Sequence, residues 1–258
     1  MTASLASDSL APISLEDLVA DAALLTRVDR KYAMSAGDAA RALAALPEQT
    51  RVLTIGSQRD FDYESYYFDT PDLLSYRMAA LGRRRRFKLR TRAYIDSGDA
   101  FLELKTRGAR SATVKERIEY GFHERAELTP EGRDYAAAGL QGLGIQNPDR
   151  LPLQPTLVTR YRRTTLLAPD GGGRATIDTD LSWALADGTE TSIPDLVIVE
   201  TKSGQRTGAI DRMLWAHGIR PTTISKYGTG LAALRPDLPS HKWARVLRRR
   251  FPTVALAA

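Results

Sequence analysis

The sequence predicts an α+β fold: an antiparallel β-barrel tunnel with a charged interior, flanked by helices. Three observations carry that expectation. Over residues 86–94, Arg86, Lys88, Arg90 and Arg92 fall on one face of a strand, while Phe87, Leu89, Thr91 and Ala93 fall on the other. The pattern recurs: six strand candidates each carry one face of mixed charge that always includes Lys or Arg. Helical patterns at both ends of the chain and between strands supply apolar surfaces that can cover the outside of a sheet. A sheet covered on one side turns its charges to water, whereas a closed barrel of about eight or more strands can place them inside.

Residues 1–12 are small and polar and read as disordered. Ser14 then caps a helix with acids in its first turn, running to about residue 25. The strand 27–34 places Asp29 and Lys31 on one face. Ser35 caps a second helix through Leu46, which Pro47 stops. Two strands, 51–55 and 64–69, precede Thr70-Pro71-Asp72, read as the start of a short helix over 72–81 with Gly82 as its C-terminal cap. The cationic strand follows. The strand 101–107 sets Glu103, Lys105 and Arg107 against Leu102 and Leu104, and 113–119 groups Lys115, Arg117 and Glu119.

A helical stretch over 129–144 leads to a strand over 155–164. Gly171-Gly172-Gly173 matches no phosphate-loop spacing and reads as a hairpin turn into 174–180, where Arg174, Asp178 and Asp180 share a face. The apolar strand 196–202 ends with Glu200 and Lys202 on one face. Helices follow near 207–217 and 229–234, the latter approached through Ile224-Ser225-Lys226-Tyr227-Gly228. The tail from His241 to Phe251 is a short basic amphipathic helix. It offers contact with a membrane surface or polyanion, or packing of Trp243 and Leu247 on the body, and the second is favoured. No repeat or linker divides the chain, so residues 13–238 read as one domain and 239–258 as a basic tail.

Composition narrows the chemistry. The chain has no Cys and only three His, His123, His217 and His241, with no metal-ligand spacing. A metal would therefore be held by carboxylates, which points to Mg²⁺ or Mn²⁺. A net charge of +6 implies an anionic partner. Nucleic acid is disfavoured, because the cations alternate along strands rather than clustering with stacking aromatics. No apolar run is long enough to span a bilayer and no secretory leader is evident, so a cytoplasmic, soluble protein is expected.

Inside a barrel, Lys31, Lys88, Arg90, Arg92, Lys105, Lys115, Arg117, Arg163, Arg174 and Lys202 would face Asp29, Glu103, Glu119, Asp178, Asp180 and Glu200. Cations exceed carboxylates. Enclosed, unpaired charge costs several kcal/mol per group, so this excess calls for an anionic guest such as a tri- or polyphosphate, with a divalent cation bridging its oxygens.

Asp29-Arg30-Lys31-Tyr32, Tyr67-Phe68-Asp69-Thr70, Lys88 through Tyr94, Glu103-Leu104-Lys105, Val114-Lys115-Glu116-Arg117, Tyr161-Arg162-Arg163-Thr164, Arg174 through Asp178, Val199-Glu200-Thr201-Lys202 and Ser225-Lys226-Tyr227 stand in this order. Together they resemble the VTC-type polyphosphate polymerase domain of the CYTH/triphosphate tunnel metalloenzyme superfamily, over about residues 27–234. The resemblance implies an antiparallel tunnel that binds triphosphate through basic residues and one or two divalent ions. It implies phosphate contacts from Lys31, Arg90, Arg92, Lys105, Lys115, Arg163, Arg174 and Lys226, with Tyr161 and Ser225 beside them.

Of these, Lys31, Arg90, Arg92, Arg163 and Lys226 are assigned to the reaction. Lys88, Lys105, Lys115, Arg117, Tyr161, Arg174, Lys202 and Ser225 are assigned to substrate binding, and Arg83 to Arg85 to a lip that attracts the polyanion. Glu200 falls at the metal-binding glutamate, with Glu103 and Asp178 assisting, and Mn²⁺ or Mg²⁺ as cofactor. The triphosphatase branch opens with Glu-x-Glu-x-Lys, where this chain has Arg27, Asp29 and Lys31, and that departure favours the polymerase branch. The implied reaction is transfer of the γ-phosphoryl group of ATP to a growing polyphosphate chain. The alternatives are a metal-dependent tripolyphosphatase or nucleoside triphosphatase, and a non-catalytic polyphosphate-binding module.

Overall fold

The computed structural model describes residues 9–21, 28–107, 113–169, 173–204 and 206–251. In chain order the elements are β1 (Ala11–Ile13), α1 (Leu15–Asp21), β2 (Val28–Ser35), α2 (Ala36–Leu43), β3 (Arg51–Leu53), β4 (Asp60–Asp69), α3 (Leu74–Ala80), β5 (Phe87–Tyr94), β6 (Asp99–Arg107), β7 (Thr113–Tyr120), α4 (Pro130–Gly142), β8 (Gln154–Leu167), β9 (Arg174–Leu185), β10 (Glu190–Ile193), β11 (Leu196–Ser203), α5 (Ala209–Ala216), α6 (Lys226–Leu234) and α7 (Ala244–Arg250). Residues 1–8 of the N-terminal stretch, the expected helix end near Leu25, Arg27, the turn residues Gly171 and Gly172, and the tail from 252 onward lie outside the described residues.

The α+β class and the antiparallel pairing agree with the sequence. The strands hydrogen-bond in the order β2-β11-β9-β8-β4-β5-β6-β7, with β10 beside β9, β3 beside β8 and β1 beside β3. The β1–β3 pair is parallel. Among the described residues β2 and β7 do not pair with each other, so the sheet is open and the expected closure into a barrel is not formed. Alternation with period two is the same in an open and a closed sheet, so it cannot specify closure. The edge of β7 carries exposed Lys115, Glu116, Arg117 and Glu119, charges that discourage pairing with another chain.

The chain divides into two compact units, the first from Met1–Phe61, Tyr161–Leu181 and Ser192–Ile224, the second from Asp62–Arg160, Ser182–Thr191 and Ser225–Ala258. In the first, one face of β2, β11 and β9 presents Tyr32, Met34, Val197, Val199, Ala175 and Ile177, which pack with Ala39, Ala42 and Leu43 of α2 and with Ile210, Met213 and Leu214 of α5. Ser35 caps α2 by accepting the Asp38 N–H at 3.0 Å. Ala11 and Pro12, expected to be disordered, form β1. Ile13 and Leu18 are buried there with Leu53 and Leu167, a contact distant in sequence that local composition does not announce.

In the second unit, Phe87 and Leu89 of β5 and Leu102 and Leu104 of β6 are buried against Ala136 and Leu140 of α4, each large side chain contributing about 1.5–3 kcal/mol. Thr129 caps α4 through the Gly132 N–H at 3.1 Å. The opposite face of β5 leaves Lys88, Arg90 and Arg92 half-exposed, as the alternation predicts. Helix α3 begins at Leu74 rather than Asp72. The cause is Asp69, whose buried carboxylate accepts the N–H groups of Thr70, Ser75 and Tyr76 at 2.8, 2.8 and 2.9 Å, with Leu73 turned into the left-handed region at φ 60°. Helix α6 begins at Lys226, earlier than its composition suggests. Its Gly228 and Gly230 let the rings of Trp243 and Trp183 lie where a Cβ would sit, 2.3 and 2.1 Å from the nearest ring atom.

The basic tail folds onto the second unit. Trp243 and Val246 are buried while Arg245, Arg248 and Arg249 remain exposed. No helix among the described residues is long and apolar enough to cross a membrane.

Candidate phosphate-binding site

In the first unit, the polar faces of β2, β11, β9 and β8 carry the residues singled out from sequence. Antiparallel register sets Lys31 opposite Glu200 and Glu200 opposite Thr176, and one step along sets Asp29 opposite Lys202 and Lys202 opposite Arg174. Lys31 Nζ lies 3.4 Å from Glu200 Oε2, Lys202 binds Glu200 Oε1, and Lys202 also reaches Asp29 at 3.5 Å. Burial pushes the Glu200 carboxyl up. The nearby Lys31, Lys202 and Arg163 outweigh it and hold the group well below the usual carboxylate range.

Arg163 is fixed by a two-point pair to Asp178, Nε to Oδ1 at 2.6 Å and Nη2 to Oδ2 at 2.9 Å, with its guanidinium 5.1 Å from the centre of the Tyr161 ring. Asp178 is 1% exposed, so this pair is a buried one. Asp180 adopts a left-handed backbone conformation at φ 51°, so simple alternation does not place its side chain beside Asp178. Gly173, with φ 98°, meets the Lys202 backbone where a Cβ would sit 2.0 Å from the carbonyl oxygen, which explains this glycine as a close approach of two strands.

Behind this face lies a fully buried carboxylate that sequence reasoning missed. Asp211 of α5 accepts hydrogen bonds from Tyr32 Oη at 2.6 Å, Thr201 Oγ1 at 2.5 Å, Ser203 Oγ at 3.3 Å and the Gly208 N–H at 3.1 Å, and pairs with Arg30 at 3.3 Å. Its donors sit on the residues that alternate with Lys31, Glu200 and Lys202. The network therefore fixes the strands that present those groups. Its only sequence signal is an acid at the third position of an amphipathic helix.

In the second unit, three cations converge on Glu103, which is 3% exposed. Arg90 donates from Nε and Nη2 to Oε2 at 2.9 and 2.8 Å, Lys115 lies 2.8 Å from Oε1, and Arg92 Nη2 lies 3.6 Å from Oε2. Burial raises the Glu103 carboxyl, but Arg90 and Lys115 hold it below its ordinary value. Burial lowers the Lys115 ammonium, with Glu103 partly offsetting it. Register places Lys88 opposite Lys105 and Lys105 opposite Lys115, a row of like charges across three strands. Arg117 lies 4.4 Å from the centre of the Phe101 ring.

Lys88 Nζ donates to Ser225 Oγ at 2.7 Å, and Ser225 caps α6 by accepting the Gly228 N–H at 3.0 Å. Lys226 is the first residue of that helix, and its carbonyl accepts the Trp183 indole N–H at 2.9 Å. Tyr227 donates to Asp69 at 2.5 Å and stacks on Tyr67, whose hydroxyl accepts from Arg90 Nη1 at 2.9 Å. Two sequence motifs far apart, one at 67–70 and one at 225–227, thus meet through a buried carboxylate and a stacked ring pair. Arg85, in the proposed lip, donates to the Gly144 carbonyl at 3.0 Å, and Arg83 and Arg84 are exposed beside it.

The structure therefore brings Lys31, Tyr161, Arg163, Arg174, Asp178, Glu200 and Lys202 together in the first unit. It groups Lys88, Arg90, Arg92, Glu103, Lys105, Lys115, Arg117, Ser225 and Lys226 in the second. Among the described residues no group of three or more His, Cys, Asp or Glu side chains is placed to hold a metal by itself.

Residues 26–235 match the family model described as the VTC domain. No curated protein matches the chain. Among solved structures, a conserved hypothetical protein from Pyrococcus furiosus is 13% identical, covering 76% of this chain and 92% of that chain with a TM-score of 0.42. The PH1012 protein from Pyrococcus horikoshii is likewise 13% identical over 76% and 92%, with a TM-score of 0.38. HpAC1 from Hippeastrum, a putative adenylyl cyclase described as having a dominant triphosphatase activity, is 15% identical over 83% and 98%, with a TM-score of 0.46.

Proposed function

The chain belongs to the VTC domain family, matched over residues 26–235, and from that premise we propose that it is a polyphosphate polymerase that transfers the γ-phosphoryl group of ATP to an inorganic polyphosphate chain. The observation that carries this reading is the state of the carboxylates on the two charged faces. Glu200 and Glu103 are each surrounded by cations and held below the ordinary carboxylate range. Such groups are anionic near neutral pH and are weak bases. A hydrolase must position or activate water, a task for which carboxylates so compensated are poor bases, whereas transfer to a phosphate oxygen that is already anionic needs no base.

The donor set suits a hard divalent cation. Glu200 offers a deprotonated carboxylate, with no cluster of His, Cys or acids around it among the described residues, and Mg²⁺-type ions commonly use one or two carboxylates and complete their shell with water and phosphate oxygens. Glu200 is the residue we assign to hold it. Asp178 and Glu103 are gripped by two-nitrogen contacts from the guanidinium groups of Arg163 and Arg90, so we assign these two acids to orient cations, whereas Glu200 is met by the ammonium groups of Lys31 and Lys202, whose flexible stems can swing aside for an ion. When bound, such an ion neutralises charge on phosphate oxygens.

The rest is the work of the chain's own side chains. In the first unit, Lys31, Lys202 and Arg163 meet phosphate oxygens, with Arg163 held in plane by Asp178. Arg90, Arg92, Lys115 and Lys88 do the same in the second. A bond forms from the terminal oxygen of the chain to the γ-phosphorus, the bridge to the β-phosphate breaks, and ADP leaves. Arrangement and charge neutralisation supply the rate.

Purified protein given ATP with Mg²⁺ or Mn²⁺ should yield ADP and long chains visible on a polyphosphate gel. Orthophosphate without chains would replace this reading by a triphosphatase. ATP or polyphosphate binding without turnover would replace it by a binding module.

A further inference from the structure

Among the described residues, Arg92 Nε on β5, Ser65 Oγ on β4 and Thr159 Oγ1 on β8 are buried polar atoms without a hydrogen-bond partner. Ser65 is 0% and Thr159 1% exposed. Such groups are uncommon, and each costs the free energy of lost hydration.

They are neighbours. The β4–β5 register pairs Tyr63 with Tyr94 and Glu64 with Ala93, and resumes with Tyr67 opposite Arg90 and Phe68 opposite Leu89. The offset is the same on both sides, so Ser65 stands opposite Arg92 on the face that also carries Tyr67 and Arg90. Directly opposed residues on one face have Cβ atoms about 4.5–5.5 Å apart, a span that a serine hydroxyl and an arginine Nε can bridge. On the reverse face Arg160 of β8 pairs with Glu64 at 2.7 Å, and β8 is hydrogen-bonded to β4, so Thr159 directly precedes and Ser65 directly follows a member of that pair on adjacent strands. One unmatched donor, Arg92 Nε–H, thus belongs to the residue across the strand pair from a hydroxyl that can accept it, with a further unmatched hydroxyl, Thr159 Oγ1, on the next strand.

Arg92 is also the most loosely held cation on Glu103. Its Nη2 lies 3.6 Å from the same Oε2 that Arg90 grips at 2.8 Å. Arg90 and Lys115 already compensate Glu103, so Arg92 can leave it at small cost.

We propose that Ser65 is a positioning residue for Arg92: when a phosphate group arrives, the Arg92 guanidinium turns from Glu103 toward it, and Ser65 Oγ accepts the Nε–H and fixes the guanidinium plane. The inference rests on the phosphate-binding reading above. It adds a side chain that touches no substrate yet sets the affinity for a chain of phosphates through the orientation of one arginine. The hydrogen bond exists in the liganded state, so its loss affects binding and leaves the unliganded protein intact.

The test is a double-mutant cycle on inorganic tripolyphosphate, with dissociation constants measured by calorimetry for wild type, Ser65→Ala, Arg92→Lys and the double variant. Thermal unfolding without ligand is recorded for each. Ser65→Ala should bind about five- to tenfold more weakly, while its unliganded melting temperature is unchanged or higher, because an unsatisfied hydroxyl has been removed. Lysine has no Nε in that position, so Ser65→Ala should cost nothing further in the Arg92→Lys background.

Equal affinity of wild type and Ser65→Ala overturns the inference while leaving the functional reading in place. The same loss in both backgrounds, or a lowered unliganded melting temperature with unchanged affinity, overturns it as well and makes Ser65 structural. Failure of the wild type to bind tripolyphosphate overturns both the inference and the phosphate-binding reading.

Discussion

At the scale of single residues, Glu200 shows how environment sets the role of a carboxylate. Burial disfavours its charge, yet Lys31, Lys202 and Arg163 reverse the outcome and keep it ionised. A carboxyl with a depressed folded-state pKa adds stability that is complete above its usual value near 4.5 and is lost as pH falls through the folded value. Glu200→Gln should therefore destabilise the protein by about 2 kcal/mol at pH 7, since it takes the counter-charge from Lys31 and leaves Lys202 with Asp29 alone. The difference from wild type should shrink as pH falls below the usual carboxylate value. Denaturant titrations at a series of pH values check this, and a difference that grows toward acid would contradict it. The same variant should lose metal-dependent turnover by at least about a hundredfold, and full activity would remove Glu200 from the reaction.

Secondary-structure elements show what aligns those residues. Asp69 gathers the start of α3 and the Tyr227 hydroxyl of α6 on one buried carboxylate. Burial raises its pKa while these hydrogen bonds oppose the rise. Asparagine has a single acceptor oxygen and turns an NH₂ group toward donors, so Asp69→Asn should cost about 3 kcal/mol by chemical denaturation. Gly230→Ala offers a test with an informative sign. In an ordinary helix interior the exchange stabilises by about 0.5–1 kcal/mol. Here the new methyl would meet Trp183 at 2.1 Å, so a loss of about 1–3 kcal/mol is expected.

The elements also show what a sequence can and cannot convey. Period two in 87–94 placed Phe87 and Leu89 in the core and Lys88, Arg90 and Arg92 on the polar face, and the cap at Ser35 announced its helix, because each of these signals is local. The start of α3 was displaced because its cap is Asp69, on the preceding strand and across a left-handed Leu73. Helix α6 began early because tryptophan packing overrides the low helix propensity of Gly228 and Gly230. The hydrogen bonds from Arg30 and Tyr32 to Asp211 join elements distant in the chain. No window of sequence contains them.

For the whole molecule, a net charge of +6 draws anions from solution, but the charge alone does not distinguish a polyphosphate from any other polyanion. The proposed chain of phosphates is favoured by the arrangement of cations in rows, such as Lys88, Lys105 and Lys115 across three adjacent strands, with their register fixed by backbone pairing. A linear chain of phosphates can meet several members of a row at once, while a single phosphate meets few. Affinity should then climb with chain length and fall with added salt. The most direct measurement is calorimetric titration with orthophosphate, pyrophosphate and tripolyphosphate at matched ionic strength. Each added phosphate is expected to tighten binding by about tenfold, and equal affinities along the series would contradict the assignment of these charged faces to a chain of phosphates.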